Sequence, residues 1–292
     1  MPNTGQVITR FGAELIIEDS QSHELIRCTA RRKLDQLACG DWVAWEAQSQ
    51  GNAAVTRLLK RKNVLERPDF RGKARAIAAN VDLMLIVSSW QPSPSWELID
   101  RYLITAQRLQ ADAILVMNKR DLRAKFASAH DETCLAELAQ IGYPILHTDA
   151  KLADAVSTLK NALKTKTGIM VGQSGVGKSS LAQQLLPDID IKVGSIADTG
   201  EGRHTTTSAT LYRLADSGNL IDSPGVRDFG LLALDFATLE SGYPEFKPYL
   251  GQCRFNNCTH NHEPGCAVKT ALSVGELLPQ RYARYLALLK TI

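Results

Sequence analysis

Hydrophobic and polar positions give the 292-residue chain three successive textures. Through residues 1–65, short runs alternate or cluster β-branched residues: Gln6–Thr9, Glu14–Ile17, Leu25–Thr29, Asp41–Glu46 and Ala53–Leu58. A period of two sends successive side chains to opposite faces, so these runs predict five short strands. Five strands in so short a stretch fit a small closed barrel of the OB type, a frequent platform for single-stranded nucleic acid. A barrel used only to contact protein would read the same way, and fold alone does not separate the two.

The second texture covers residues 66–232. It opens with Arg67-Pro68, read as a break followed by a linker rich in Arg and Lys. Val81–Ser88 is then nearly all apolar, as in a strand buried on both faces of a parallel sheet. Trp96–Leu109, Cys134–Ile141, Leu152–Leu163 and Lys178–Leu186 read as helices. Ala113–Met117, Pro144–His147, Thr167–Val171, Leu211–Leu214 and Asn219–Ile221 read as strands. Alternation of this kind predicts a doubly wound α/β domain. The third texture, 233–292, holds short helices, a Cys/His-rich stretch and a C-terminal amphipathic helix. Its stripe of Leu277, Leu278, Tyr282, Tyr285, Leu286 and Leu289 predicts core packing.

Composition changes this picture little. At 44% hydrophobic residues the chain has ample material for buried cores. No basic-then-apolar leader and no apolar run of membrane-spanning length is present, so a soluble cytoplasmic protein without membrane contact is expected. Charge adds more. The net charge is +3, yet Arg57–Arg75 holds eight basic residues against Glu66 and Asp69, leaving the remainder at −3. Arg27, Arg31, Arg32 and Lys33 form a second basic cluster. Either run suits a solvated face. Two of them near one end also suit a phosphate-backbone partner, with Arg61, Lys62, Arg71 and Lys73 as candidate contacts.

The candidate chemistry starts with Gly172-Gln173-Ser174-Gly175-Val176-Gly177-Lys178-Ser179, a phosphate-binding P-loop between a predicted strand and a predicted helix. Its glycines let backbone N–H groups turn towards phosphates, Lys178 reaches the β and γ oxygens, and Ser179 suits Mg²⁺, with Ser180 following at the helix start. Asn118-Lys119-Arg120-Asp121 ends an apolar strand and has the form of a guanine reader. The Asp121 carboxylate can accept from guanine N1–H and its 2-amino group, a donor pair that adenine lacks. Thr148-Asp149-Ala150 is a weaker candidate for backbone support of the base. Asp222-Ser223-Pro224-Gly225 follows another strand; Asp222 would hold Mg²⁺ through water and the Gly225 N–H would sense the γ-phosphate.

Between these lies Gly202-Arg203-His204-Thr205-Thr206-Thr207, the expected first switch. Thr206, with Thr205 close behind, is the candidate Mg²⁺ ligand there. Val226 stands where many GTPases carry a water-positioning Gln, so His204 is the candidate replacement, with Arg203 and Arg227 as candidate charge donors. A solvent-facing loop histidine would look the same. The motif set indicates GTP/GDP with Mg²⁺. Its order is unusual, because the guanine reader precedes the P-loop, and this indicates circular permutation. The same order puts the γ-phosphate sensor next to the third segment, which predicts that nucleotide state passes through Val226–Leu232.

Cys253, Cys258, His260 and Cys266 are spaced Cys-x4-Cys-x-His-x5-Cys. Three thiolates and an imidazole suit a closed structural Zn²⁺ site, with His262 as the competing imidazole. Cys28, Cys39 and Cys134 are scattered and read as ordinary packing residues.

Taken together, the barrel, the guanine reader ahead of the P-loop, Gly202–Thr207, Asp222–Gly225 and the Cys/His cluster resemble the circularly permuted ribosome-assembly GTPases of the RsgA (YjeQ) family. The resemblance spans essentially the whole chain. It implies a multidomain α/β protein: an OB-type barrel (1–65), a permuted P-loop GTPase domain (66–232) and a helical zinc-binding domain (233–292). It implies GTP as substrate and the small ribosomal subunit and its rRNA as partner, with no DNA expected. By the same resemblance the switch histidine implicated in hydrolysis is His204, the hydrophobic replacement for Gln is Val226, and the zinc ligands are Cys253, Cys258, His260 and Cys266. Thr148-Asp149-Ala150 departs from it, since a Ser-Ala pair is more usual there. Two other readings compete: an RNA-binding switch whose hydrolysis is incidental, and a P-loop kinase or ATPase.

Overall fold

The computed structural model describes residues 3–30, 34, 36–48, 53–68, 71–149, 153–186, 209–214, 218–222 and 234–292. Strands β1 (Asn3–Phe11), β2 (Glu14–Asp19), β3 (Leu25–Ala30), β4 (Trp42–Ala47) and β5 (Ala53–Leu58) fall on the five predicted runs. They order as β1-β2-β3-β5-β4, and β4 returns to pair with β1, closing the barrel. Only β3 and β5 run parallel. Alternate residues point inward, so Val7, Leu15, Ile17, Cys28, Val43 and Val55 fill the interior. At one end Asp19 accepts from the Trp45 indole N–H at 3.1 Å.

The segment opened by Arg67-Pro68 is a hairpin and not an irregular linker. Strands β6 (Val64–Pro68) and β7 (Ala74–Ala79) pair antiparallel, separate from the main sheet. Pro68 is the last residue of its strand, where a missing N–H is tolerated.

The α/β unit then follows. It comprises β8 (Leu83–Ser89), α1 (Trp96–Leu109), β9 (Asp112–Asn118), α2 (Arg123–Phe126), α3 (Ala129–Ile141), β10 (Ile145–His147), α4 (Ala153–Leu163), β11 (Thr167–Val171), α5 (Lys178–Leu185), β12 (Thr210–Arg213) and β13 (Asn219–Asp222). The order is β10-β9-β8-β11-β13-β12, parallel except for β12. Every residue of β8 is buried. Met84 and Ile86 pack towards α1 and α3, whereas Leu83, Leu85 and Val87 pack towards α4 and α5. That two-sided burial is why this strand reads as one apolar run. Helix α3 starts at a capping box in which Ser128 and Asp131 satisfy each other's backbone N–H groups.

Barrel and α/β sheet are continuous. β1 also pairs with β12, with Thr9 opposite Thr210, so the two units share one eleven-stranded sheet. Among the described residues, no helix is long and apolar enough to cross a membrane.

The C-terminal unit contains α6 (Phe236–Ser241), α7 (Ala267–Ser273) and α8 (Pro279–Leu289). Its core joins Tyr243, Phe246, Val268 and Tyr285 with Ile104 of α1. The buried face of α8 differs from the predicted stripe. Arg281, Tyr282, Arg284, Tyr285 and Leu288 are buried, while Leu286 and Leu289 are only partly covered. The two arginines turn inward because Asp100 of α1 is fully buried opposite them. Arg281 Nη1 donates to Asp100 Oδ1 at 2.5 Å and Arg284 Nε to Oδ2 at 2.8 Å. Arg281 Nε also donates to Glu245 at 2.7 Å, and its guanidinium lies 4.0 Å from the Tyr243 ring centre.

Removing one partner of a buried ion cluster strands the others without counter-charge. We therefore expect Asp100→Ala to destabilise the chain by about 3–5 kcal/mol, measured by urea unfolding. A loss below about 1 kcal/mol, the range of exposed pairs, would show that solvent already screens the cluster.

Candidate nucleotide site and metal centre

The P-loop joins β11 to α5 at the carboxyl end of the parallel strands, where α/β folds place ligands. Two glycines are demanded by close approach. Gly172 has φ +140°, and a Cβ there would lie 2.0 Å from the Val87 carbonyl oxygen. Gly177 has φ +97°, and a Cβ would lie 2.3 Å from Asn118 Nδ2. The loop is thus pressed against β8 on one side and the guanine-reader segment on the other. Lys178 Nζ donates to the Gly172 and Gln173 carbonyls at 2.6 and 2.7 Å, so its ammonium lies along the inner rim of the loop. Ser174, Ser179 and Ser180 are exposed at that rim.

Asn118 ends β9 and is buried. Its Nδ2 donates to the Val176 carbonyl at 2.8 Å, and its Oδ1 accepts from the Thr148 hydroxyl at 3.2 Å. Lys119 is left-handed (φ 56°) and its Nζ donates to the Gly175 carbonyl at 2.7 Å and the Gln91 carbonyl at 2.5 Å. Two side chains of the Asn118–Asp121 segment are therefore bonded to the P-loop itself. The Arg120 N–H donates to the Thr148 carbonyl at 3.0 Å, and the Thr148 N–H to the Met117 carbonyl at 2.9 Å. Asp121 follows on a single 3-10 turn, Arg120–Leu122, with its carboxylate exposed. The arrangement holds Asn118 and Lys119 as braces and presents Asp121 to solvent beside the loop.

Asp222 ends β13, which runs parallel to β11 and so brings it to the same sheet end as the P-loop. Arg203, His204, Thr205, Thr206, Gly225, Val226 and Arg227 lie outside the described residues, as do Ser223, Pro224 and Ala150.

Sequence reasoning named Gln173 and Thr148 for their motifs but missed their side-chain contacts, and it passed over Gln91. Gln173 Nε2 donates to the Ser93 carbonyl at 3.2 Å, and its Oε1 accepts from the Ser95 N–H at 3.2 Å, immediately before α1. Thr148 was considered only for its backbone, yet its hydroxyl orients the Asn118 amide. Neither Gln173 at a variable P-loop position nor Gln91 before α1 carries a motif signal. Only the partner across space identifies them.

The Cys/His cluster is brought together as its spacing suggested. Cys253, Cys258, His260 and Cys266 present ligand atoms all within 4.8 Å of one another. His260 Nδ1 lies 3.5, 3.6 and 3.4 Å from the three sulfurs in chain order, and Cys253 and Cys266 are 3.9 Å apart. A tetrahedral Zn²⁺ with Zn–S near 2.3 Å and Zn–N near 2.0–2.1 Å gives edges of about 3.5 Å (S···N) and 3.8 Å (S···S). The donor set fits. The far ring nitrogen of His260 is 2.8 Å from Glu240 Oε1, a carboxylate placed to fix the imidazole. Tyr282 and Tyr285 donate to the His260 and Thr259 carbonyls at 2.6 and 2.8 Å. Burial pushes the Cys258 thiol up to about 12, so a thiolate at neutral pH requires a cation beside it. His262 is exposed and outside the cluster.

Of the basic candidates, Arg61 is held by the buried carboxylate of Asp41, with two contacts of 2.7 Å, and Lys62 pairs with Asp82 at 2.7 Å. Arg61 thus serves the barrel's own packing.

The family model described as RsgA GTPase matches residues 58–232. A Vibrio vulnificus protein named small ribosomal subunit biogenesis GTPase RsgA 1 is 43% identical over 286 residues, covering 96% of this chain and 81% of that one. A Pseudomonas aeruginosa protein named small ribosomal subunit biogenesis GTPase RsgA is 42% identical over 283 residues, covering 97% and 83%. Among solved structures, YjeQ from Thermotoga maritima matches at TM-score 0.76 and 30% identity, covering 98% of this chain and 97% of that chain. YloQ, described as a circularly permuted GTPase, matches at TM-score 0.75 and 25% identity, covering 99% and 94%.

Because a Cβ at residue 177 collides with Asn118, Gly177→Ala must break the Asn118–Val176 bond as well as strain the backbone. We expect a loss of about 1–3 kcal/mol in urea unfolding. Unchanged stability would mean that the loop relaxes without using this contact.

Proposed function

This chain belongs to the RsgA GTPase family, and from that premise we propose that it hydrolyses GTP to GDP and phosphate during maturation of the small ribosomal subunit. The observation that carries the reading is the direct bonding of Asn118 and Lys119 to the Val176 and Gly175 carbonyls, which makes base reader and phosphate loop one site. In our reading the P-loop N–H groups and Lys178 hold the phosphates, and Asp121 reads guanine. Ser179, Asp222 and Thr206 hold Mg²⁺, with Thr205 adjacent. Gly225 senses the γ-phosphate, and His204 orients the attacking water in place of the usual Gln. Work on the subunit implies contact with rRNA and a cytoplasmic setting.

Hydrolysis by such a site depends on ordering the switch, so turnover should be slow alone and rise with the partner. We expect GTP turnover by the purified chain to increase strongly on adding mature small subunits, and excess ATP not to inhibit it. His204→Ala should retain GTP binding and lose most of the stimulation. Turnover indifferent to subunits would favour a binding switch with incidental hydrolysis, and inhibition by ATP would favour an ATPase.

For the metal centre we propose one structural Zn²⁺ held by Cys253, Cys258, His260 and Cys266, with no open ligand position and no catalytic role. Loss of the Glu240 contact should weaken zinc binding by about 10–100-fold while leaving the ligands in place. Competition of Glu240→Gln against a metallochromic chelator measures this, and an unchanged affinity would remove Glu240 from the site.

A further inference from the structure

Gln173 does more in this fold than fill a place in the P-loop. Its side-chain amide reaches out of the loop, where Nε2 donates to the Ser93 carbonyl and Oε1 accepts from the Ser95 N–H, both at 3.2 Å. One amide supplies the donor and the acceptor that these two nearby backbone groups require. On its other side, the Gln173 backbone carbonyl accepts from Lys178 Nζ at 2.7 Å. The residue is thus tied by its side chain to the entry of α1 and by its main chain to the P-loop lysine.

The α1 end of this tie is stiff. Ser95 is the N-cap of α1, and its own side chain makes no cap bond. Trp96, the next residue, is buried, and its indole N–H donates to Asp131 of α3 at 2.8 Å. One turn on, Asp100 is held by Arg281 and Arg284. The connection before Ser93 is held as well, since the Ser89 hydroxyl donates to the Pro92 carbonyl at 3.2 Å and Lys119 Nζ donates to the Gln91 carbonyl. A side chain anchored on packed helices passes on a fixed position. Lys178 needs one, because its ammonium sits on a flexible four-carbon stem and rests where its acceptors are. Those acceptors include the Gly172 and Gln173 carbonyls. Gly172 is set by its close approach to Val87 of β8, and Gln173 by its amide.

We propose that Gln173 is a positioning residue for GTP hydrolysis, acting through its own carbonyl on Lys178. This role rests on the reading that the chain hydrolyses GTP at its P-loop, and it adds what sets the lysine there. Charge redistributes over the phosphoryl oxygens in the transition state, so a displaced ammonium loses more stabilisation there than against bound GTP. The effect therefore falls on the hydrolytic step and little on binding.

The test is single-turnover hydrolysis, with the full chain in excess over GTP on saturating mature small subunits, so that product release does not enter the rate. Gln173→Met keeps the length of the side chain and removes both bonds. Gln173→Asn keeps the amide and shortens its reach. Each should slow hydrolysis about five- to tenfold, the worth of one net hydrogen bond at the barrier. GTP and GDP affinities should stay within about twofold of wild type. In a Lys178→Arg background, Gln173→Met should cost less than about twofold, because the ammonium it positions is gone. Unchanged hydrolysis with a lowered urea midpoint would make Gln173 a structural tie only and overturn the proposal. Weaker nucleotide binding with unchanged hydrolysis of bound GTP would do the same, as would wild-type rates in Gln173→Asn or a full-sized loss in the Lys178→Arg background. A wild-type chain that binds GTP and does not hydrolyse it on subunits would overturn the hydrolytic reading itself, and this role with it.

Discussion

A carboxylate without access to water organises this molecule. Asp100 sits in the middle of α1, and taking its charge out of solvent is tolerable only because Arg281 and Arg284 meet both of its oxygens. That requirement fixes the rotation of α8, since both arginines must face inward. It also fixes where the C-terminal unit docks. Once α8 is set, Tyr282 and Tyr285 of the same face reach the Cys/His loop and hold its carbonyls. At its amino end α1 begins three residues beyond Ser93, directly after the segment that Gln173 of the P-loop holds. One helix therefore touches the P-loop at its start and the Cys/His cluster, through α8, one turn further on. The Val226–Leu232 route expected from the permuted order lies outside the described residues, and this second route is independent of it.

The permuted order is less disruptive than it looks on paper. Parallel sheets place sequence-distant strand ends side by side. β8 has β9 on one flank and β11 on the other, so Asn118–Asp121 at the end of β9 and the P-loop after β11 face each other across one strand. Gly177 packing on Asn118 needs that adjacency, and it is indifferent to which segment is made first.

What was legible in the sequence follows the same physics. Strands with a two-sided or alternating environment were plain, as Leu83–Ser89 and the barrel strands show. The Cys/His cluster was plain because its four side chains lie within one short stretch of sequence and converge there. The hairpin was hidden, because Pro68 and a run of cations mask the period of two, and Pro68 is harmless at a strand end. Asp100 was hidden for a deeper reason. A carboxylate one residue from the apolar stripe of α1 reads as solvent-facing, and Arg281 and Arg284 read likewise in α8. Only their encounter, 181 and 184 positions apart, makes all three interior residues. Gln173 and Thr148 share that property, since each acts through a partner that no local pattern announces.

That separation has a consequence during synthesis. Asp100 leaves the ribosome 181 residues before Arg281. At roughly 5–20 residues per second, α1 waits some ten to forty seconds for its counter-charge. Over that interval the α/β unit must keep this carboxylate in contact with water, because its charge has no partner yet. Helix α8 thus completes the packing around α1 chemically as well as sterically, and a nascent chain stalled before it should remain visible to chaperones and proteases as unfinished.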